Sequence, residues 1–355
     1  MSESAEERCS VLDHRSTTEQ PMRRFVVIVM VASACGIALW SFADLDTIRE
    51  TLDRLTPDVL VALFLLLAAN ELLKGLRWAW YLRAAQLPIR TIDGLTSYLA
   101  AQAASALPGG ALLSARLAEE HGAGRVRLRH TTPPLVAQGF GDLLAVSLLA
   151  VTGILLTGQG PLQLLAPFAG TTVAVVLIAA VRSERLGQWV VGLLRRSRRM
   201  RHFLPVEEDA RKTLRTLCRP HALLPGIVAS IGSSLIAAAI LVSLAGALTL
   251  PGLALREALY VHSLTMLAHF LLPIPNGFGT NELSLVGLLN IVGIGFGRAT
   301  AIAVVYRTIG LGFRTLIGLL VLIGRYHHLL AELHRQPAPQ RDPLFPMELA
   351  IEERE

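Results

Sequence analysis

The stretch Leu272-Pro-Ile-Pro-Asn-Gly-Phe-Gly-Thr-Asn-Glu282 decides how this chain folds. Pro273, Pro275, Gly277 and Gly279 fall within seven residues, with apolar helical sequence on both sides. Each proline lacks an amide donor and clashes with the preceding turn, so one helix cannot run through. The arms beside the break, roughly 258–272 and 278–296, carry almost no charge. The break therefore lies where water is scarce, and its freed backbone groups need protein or a polar cavity around them. Glu282 follows one turn later with Asn281 beside it, and an ionisable group at such depth is a functional candidate. The alternative is a tight loop at the membrane surface joining two full spans.

Composition sets the class around that stretch. The 355 residues are 52% hydrophobic and 17% charged, with a mean hydropathy of +0.51. A soluble globule of this length carries more charge. Cys9, Cys35 and Cys218 are far apart, which argues against a disulfide framework or a zinc site. The net charge of +6 sits in short segments between apolar runs. That is a topology signal and implies no nucleic-acid partner.

In chain order, residues 1–24 read as a disordered cytoplasmic tail, and 25–42 is long enough to be a retained first span. The loop 44–57 holds four acidic and two basic residues. The second apolar run, 58–76, is followed by a basic stretch, so the first loop is expected outside and the second inside. Glu71 and Lys74 form an i, i+3 pair, and Lys74 and Arg77 are expected to snorkel to the inner interface. The segment 92–117 is interrupted at Pro108, Gly109 and Gly110 and has basic flanks on both sides. Its arms are too short for two spans and read as a re-entrant hairpin. Residues 133–157 go out with Asp142 buried on the way, and 164–181 return. From Arg182 to Arg219 there are eleven Arg or Lys, which fixes the loop 182–221 inside. Its apolar residues, Trp189 among them, recur at helical spacing. It is either an interfacial helix on anionic headgroups or a solvated basic linker. Residues 222–248 go out, the second hairpin dips in from outside, 299–323 return, and 324–355 read as a cytoplasmic tail.

The expected fold is thus an all-α polytopic membrane protein, with about six transmembrane helices and two re-entrant hairpins in one domain, 25–323. The halves 25–157 and 161–323 have the same order and opposite sidedness. Leu82, Ala85 and Tyr98 recur as Leu244, Ala247 and Tyr260 at one fixed offset. Oppositely oriented repeats with broken helices are the layout of many secondary transporters. The correspondence pairs Arg116 with Asp142 and Glu282 with Arg307, since unpaired charges in a bilayer are costly. Arg314, seven residues beyond Arg307, extends a basic strip suited to a lipid phosphate. These pairs either bind substrate or only hold the fold. His262 and His269 can share a face, with polar packing or proton handling as their roles, and no metal site is expected.

Leu272–Glu282, with Gly293 and Arg307 after it, resembles the Pro-x-Pro-x-Gly-x-Gly-x-x-Glu signature and trailing arginine of the lysylphosphatidylglycerol synthase transmembrane region, also called the flippase-like membrane family. Leu73-Lys-Gly-Leu-Arg-Trp78 looks like that family's early Arg-Trp element, and Leu107-Pro-Gly-Gly110 with Arg116 like its first hairpin. Two departures stand out: Gly139 occupies the place of the arginine in an Arg-x-x-Asp element ending at Asp142, and the glutamate usual after the first Pro-Gly is absent. The resemblance implies an inner-membrane protein that moves a lipid or lipid-linked anion between leaflets, and the basic flanks put both termini in the cytoplasm. The sequence holds no phosphate-cradling P-loop, so no cofactor is expected, and nothing in it corresponds to the soluble aminoacyl-transferring domain, so lysyl transfer is not expected; the oligomeric state stays open. The competing readings are an intramembrane lipid phosphatase or transferase and a scaffold of a cell-envelope biosynthetic complex. The residues offered for substrate binding are Arg116, Asp142, Asn281, Glu282, Arg307 and Arg314.

Overall fold

The computed structural model describes residues 56–105, 110–122, 126, 128–183, 185, 208–248, 252–271 and 279–335. The expected first span, 25–42, most of the basic loop, and the breaks at Pro108, Gly109, Pro273, Pro275 and Gly277 lie outside them. The described residues form ten α-helices and no strand: α1 Pro57–Ala84, α2 Thr91–Ala101, α3 Gly110–Glu120, α4 Leu128–Thr157, α5 Leu165–Arg182, α6 Glu208–Leu217, α7 Pro220–Leu248, α8 Leu255–Leu271, α9 Thr280–Ile291 and α10 Phe296–Arg335. Five segments are long and apolar enough to cross a membrane: Pro57–Ala84, His130–Thr157, Pro161–Arg182, Pro220–Ala247 and Phe296–His327. The α2 and α3 arms have 11 residues each. At 1.5 Å per residue each reaches about 16 Å, roughly half of a hydrocarbon core.

Local chemistry sets the helix ends. Thr56 precedes Pro57, whose fixed φ and missing N–H suit a first helical turn, and Asp58 faces the positive end of the dipole. α1 then runs eight residues beyond its apolar run, to Ala84, and the chain leaves it through Gln86 at φ 59°. The extension is possible because Trp78, Tyr81 and Leu82 are fully buried and the Trp78 indole N–H donates to Ser97 Oγ of α2 at 3.2 Å. At the second break Gly279 stands at φ 79°, a conformation open mainly to glycine. α9 starts there, and Glu282 Oε2 accepts the Gly279 N–H at 2.8 Å.

The main core joins α1, α4, α7, α8, α9 and α10 through Leu67, Leu149, Leu241, Tyr260, Leu289 and Ile302. Close approach needs small residues. A Cβ on Gly153 of α4 would lie 2.7 Å from Tyr260 Cα of α8. One on Gly318 of α10 would lie 2.1 Å from Ala103 N, beside α2. The same end of α10 grips the first hairpin again through His121 Nε2 and Tyr326 Oη at 2.9 Å and through a bond from Arg325 to Asp93. Tyr326 interrupts the helix at φ −119°, ψ 21°. The helix runs on to Arg335, into the segment expected as tail.

The outer face is apolar. Leu65, Leu155, Phe168 and Leu320 are all more than half exposed. So broad an apolar exterior marks contact with lipid.

Candidate functional site

Inside this shell lies a cavity of about 250 Å³, bounded by α1, α4, α7, α8, α9 and α10. Leu63, Leu67, Leu241, Leu244 and Leu285 line its apolar part, while Lys74, Arg77, Asp142, Glu282, Arg307 and Arg314 line its ionised part. Three charge clusters hold those side chains in place.

The first is built on Glu71, whose side chain is 1% exposed. Its Oε1 lies 3.3 Å from Lys74 Nζ, one turn on, and 3.0 Å from Arg314 Nε of α10. Its Oε2 accepts from Tyr98 Oη of α2 at 3.2 Å. One carboxylate thus joins α1, the first hairpin and α10. The second cluster is Arg77 of α1, bonded to Asp142 of α4 and Ser230 of α7. The third is Glu282, with Oε1 3.1 Å from Arg307 Nε and its other oxygen held by the Gly279 amide. A carboxylate fixed by the backbone at one oxygen presents the other in a set direction, which orients the guanidinium.

The cavity wall also holds polar atoms with nothing to bind. Arg77 Nε, Thr265 Oγ1, His269 Nδ1 and Asn281 Oδ1 are buried without a partner among the described residues. Leaving such groups unmet is costly, so a convergent set of them makes this cavity the candidate place for a ligand. His262 lines the same cavity. No group of three or more His, Cys, Asp or Glu suited to a metal ion occurs among the described residues.

As expected from the sequence, Glu282 and Arg307 are paired, and Asn281, Asp142 and Arg314 join them at the cavity. Two expectations are corrected. Arg116 does not meet Asp142: its side chain is 61% exposed and bonds Glu119 of its own helix at 2.6 Å. An i, i+3 carboxylate is always within reach of an arginine on a helix surface, whereas Asp142 faces the bundle interior. Arg77 takes the place beside Asp142. The second correction concerns Lys74 and Arg77, which turn into the cavity rather than snorkel outward. The continuation of α1 to Ala84 keeps them inside the bundle. The Glu71–Lys74 pair read from the sequence is present and His269 lines the cavity with His262, while the inward turn of Lys74 and Arg77, which the sequence reading missed, left one signal. Asn70, Lys74 and Arg77 recur at i, i+4, i+7, a single helix face.

An all-helical bundle with an apolar exterior and an ionised interior cavity is a multi-pass integral membrane protein. Within that class, the chain belongs to the lysylphosphatidylglycerol synthase TM region family, which it matches over residues 25–318. Family membership relates it to lipid metabolism or transport. No curated protein and no solved structure matches it.

Proposed function

We propose that the protein carries the headgroup of an anionic phospholipid or lipid-linked anion between leaflets, without a chemical step. The observation that supports this most is the cavity wall. Four cations, Lys74, Arg77, Arg307 and Arg314, meet three carboxylates, Glu71, Asp142 and Glu282, inside an apolar bundle. One positive charge is left over for a phosphate diester. Guanidinium groups suit its oxygens, and the low dielectric strengthens the attraction. About 250 Å³ is at the small end for ligand sites, which run to roughly 300–1,000 Å³. It would hold a headgroup while the acyl chains stay in the bilayer. The two broken segments would enter from opposite faces as re-entrant hairpins. The charge pattern of the loops supports an inner-membrane location with cytoplasmic termini and with anionic headgroups against 182–219.

The test is headgroup-labelled phosphatidylglycerol in vesicles containing the purified protein. Protein-dependent loss of label from the outer leaflet, with the lipid recovered unchanged, is the expected result. A new lipid product would replace this reading with an intramembrane enzyme. Neither movement nor product would leave a scaffold.

A further inference from the structure

Two of the charge clusters lie two turns apart on α10, because Arg307 and Arg314 are seven residues apart, or about 10.5 Å along the axis. His262 and His269 of α8 line the same cavity and have the same seven-residue spacing. The charges of Lys74 and Arg314 act on His262, and those of Arg307 and Glu282 act on His269. The cavity therefore holds two stations, each with an arginine, a carboxylate and an imidazole.

The stations differ in charge. Lys74 and Arg314 share the single carboxylate of Glu71, leaving one positive charge at the first. Arg307 is matched by Glu282 at the second, leaving none among the described residues. Arg77 and Asp142 cancel. A monoanionic phosphate is thus neutralised at the first station and left unbalanced at the second, an expensive difference where the dielectric is low. Among the described residues at the second station, a proton on His269 or on Glu282 would remove the difference, but both Glu282 oxygens are already engaged, by the Gly279 amide and by Arg307. His269 lines the cavity there, and its Nδ1 is a buried atom with no hydrogen-bond partner among the described residues. The other charged or titratable groups around the cavity are Lys74 and Arg77 of α1, Asp142 of α4, His262 of α8, Glu282 of α9, and Tyr306, Arg307 and Arg314 of α10. α7 brings only serines, Ser233 and Ser234, to its polar wall.

We propose that His269 takes a proton from water when an anionic headgroup occupies the Arg307 station and returns it when the headgroup leaves, so that passage along the cavity is proton-linked. The proposal rests on the headgroup-carrier reading and adds a cargo to it. His262, at the station that is already positive, has no such part.

The experiment counts protons. Dihexanoyl phosphatidylglycerol is titrated calorimetrically into the purified full-length protein at pH 7.5, in buffers of different ionisation enthalpy, with dihexanoyl phosphatidylcholine as the zwitterionic control. At saturation of both stations the expected uptake is up to about one proton per protein. It falls to about zero in His269→Gln and persists in His262→Gln. His269→Asn serves as a second variant should His269→Gln fold poorly. Anion binding without proton uptake, or with uptake that survives both His269 variants, overturns the proposal and leaves the anion site standing. No preference for the anionic probe over the zwitterionic one overturns the anion site itself, and the proposal with it.

Discussion

Replacing Glu71 with glutamine removes the one charge that two cations share. The side chain is 1% exposed and holds Lys74 at 3.3 Å, Arg314 at 3.0 Å and the Tyr98 hydroxyl at 3.2 Å. Deleting one member of a buried ion pair costs about 3–5 kcal/mol, chiefly through the charge left unmet. Lys74 and Arg314 keep 20% and 36% of their side chains exposed, so solvent screening places the cost near the lower end, about 3 kcal/mol. Arg314→Gln loses only one of the three contacts and leaves Lys74 to neutralise Glu71, for about 1.5 kcal/mol. At roughly 2–4 °C per kcal/mol for a large domain, the expected falls in Tm are about 6–12 °C and 3–6 °C. The assay is thermal unfolding in one detergent of the wild type, both single variants and the double variant. The double variant should lose less than the sum, because each change relieves part of the imbalance left by the other. An Arg314→Gln protein that melts at or below Glu71→Gln would refute the view that the carboxylate is the hub.

Gly318→Ala places a methyl 2.1 Å from a backbone nitrogen and should cost about 1–3 kcal/mol by overpacking. Gly312→Ala, with nothing within 4 Å of its new Cβ, should melt at or above the wild-type temperature, and equal Tm values would refute the close contact of α10 with the first hairpin. Arg77→Gln leaves Asp142 without its cation and should weaken binding of dihexanoyl phosphatidylglycerol by about tenfold or more. Arg116→Gln, whose side chain is 61% exposed, should change it by less than about twofold; the reverse order would restore the Arg116–Asp142 pairing. Burial pushes the Cys218 thiol up to about 11. In a variant with Cys9 and Cys35 replaced by serine, maleimide labelling of the folded protein at pH 7.5 should therefore be slow and rise steeply on denaturation, and fast native labelling would contradict the packing between α6 and α7. Single cysteines at the exposed positions 92 and 120 should label from one compartment, and those at 256 and 297 from the opposite one; a split within either pair would rule out a re-entrant hairpin there.

What could be read in advance was what depends on local composition. Apolar runs, Pro/Gly punctuation and basic flanks located the long helices among the described residues and the arms on either side of both breaks, and the Glu282–Arg307 pair followed from the cost of buried charge. The rest depends on which faces meet, and periodicity alone does not say. Arg77 and Asp142 lie 65 residues apart, and nothing local to either names the other. Matching the two halves charge for charge led to Arg116, but that side chain had Glu119 one turn away. Lys74 and Arg77 follow an apolar run, the usual position for a snorkelling side chain. Only the fully buried Trp78 and Tyr81 next to them reveal that the helix continues inside the bundle.

α10 serves two neighbourhoods with one rod. Up to Arg314 it presents two of the cavity's three guanidiniums, and from Gly318 to Tyr326 it is clamped to the first hairpin by backbone contact, by His121 and by Asp93. Barely one turn separates the two functions, too little for an unbroken helix to bend. Moving the hairpin would therefore carry Arg314 with it, the way a displaced handle moves the bit of a key.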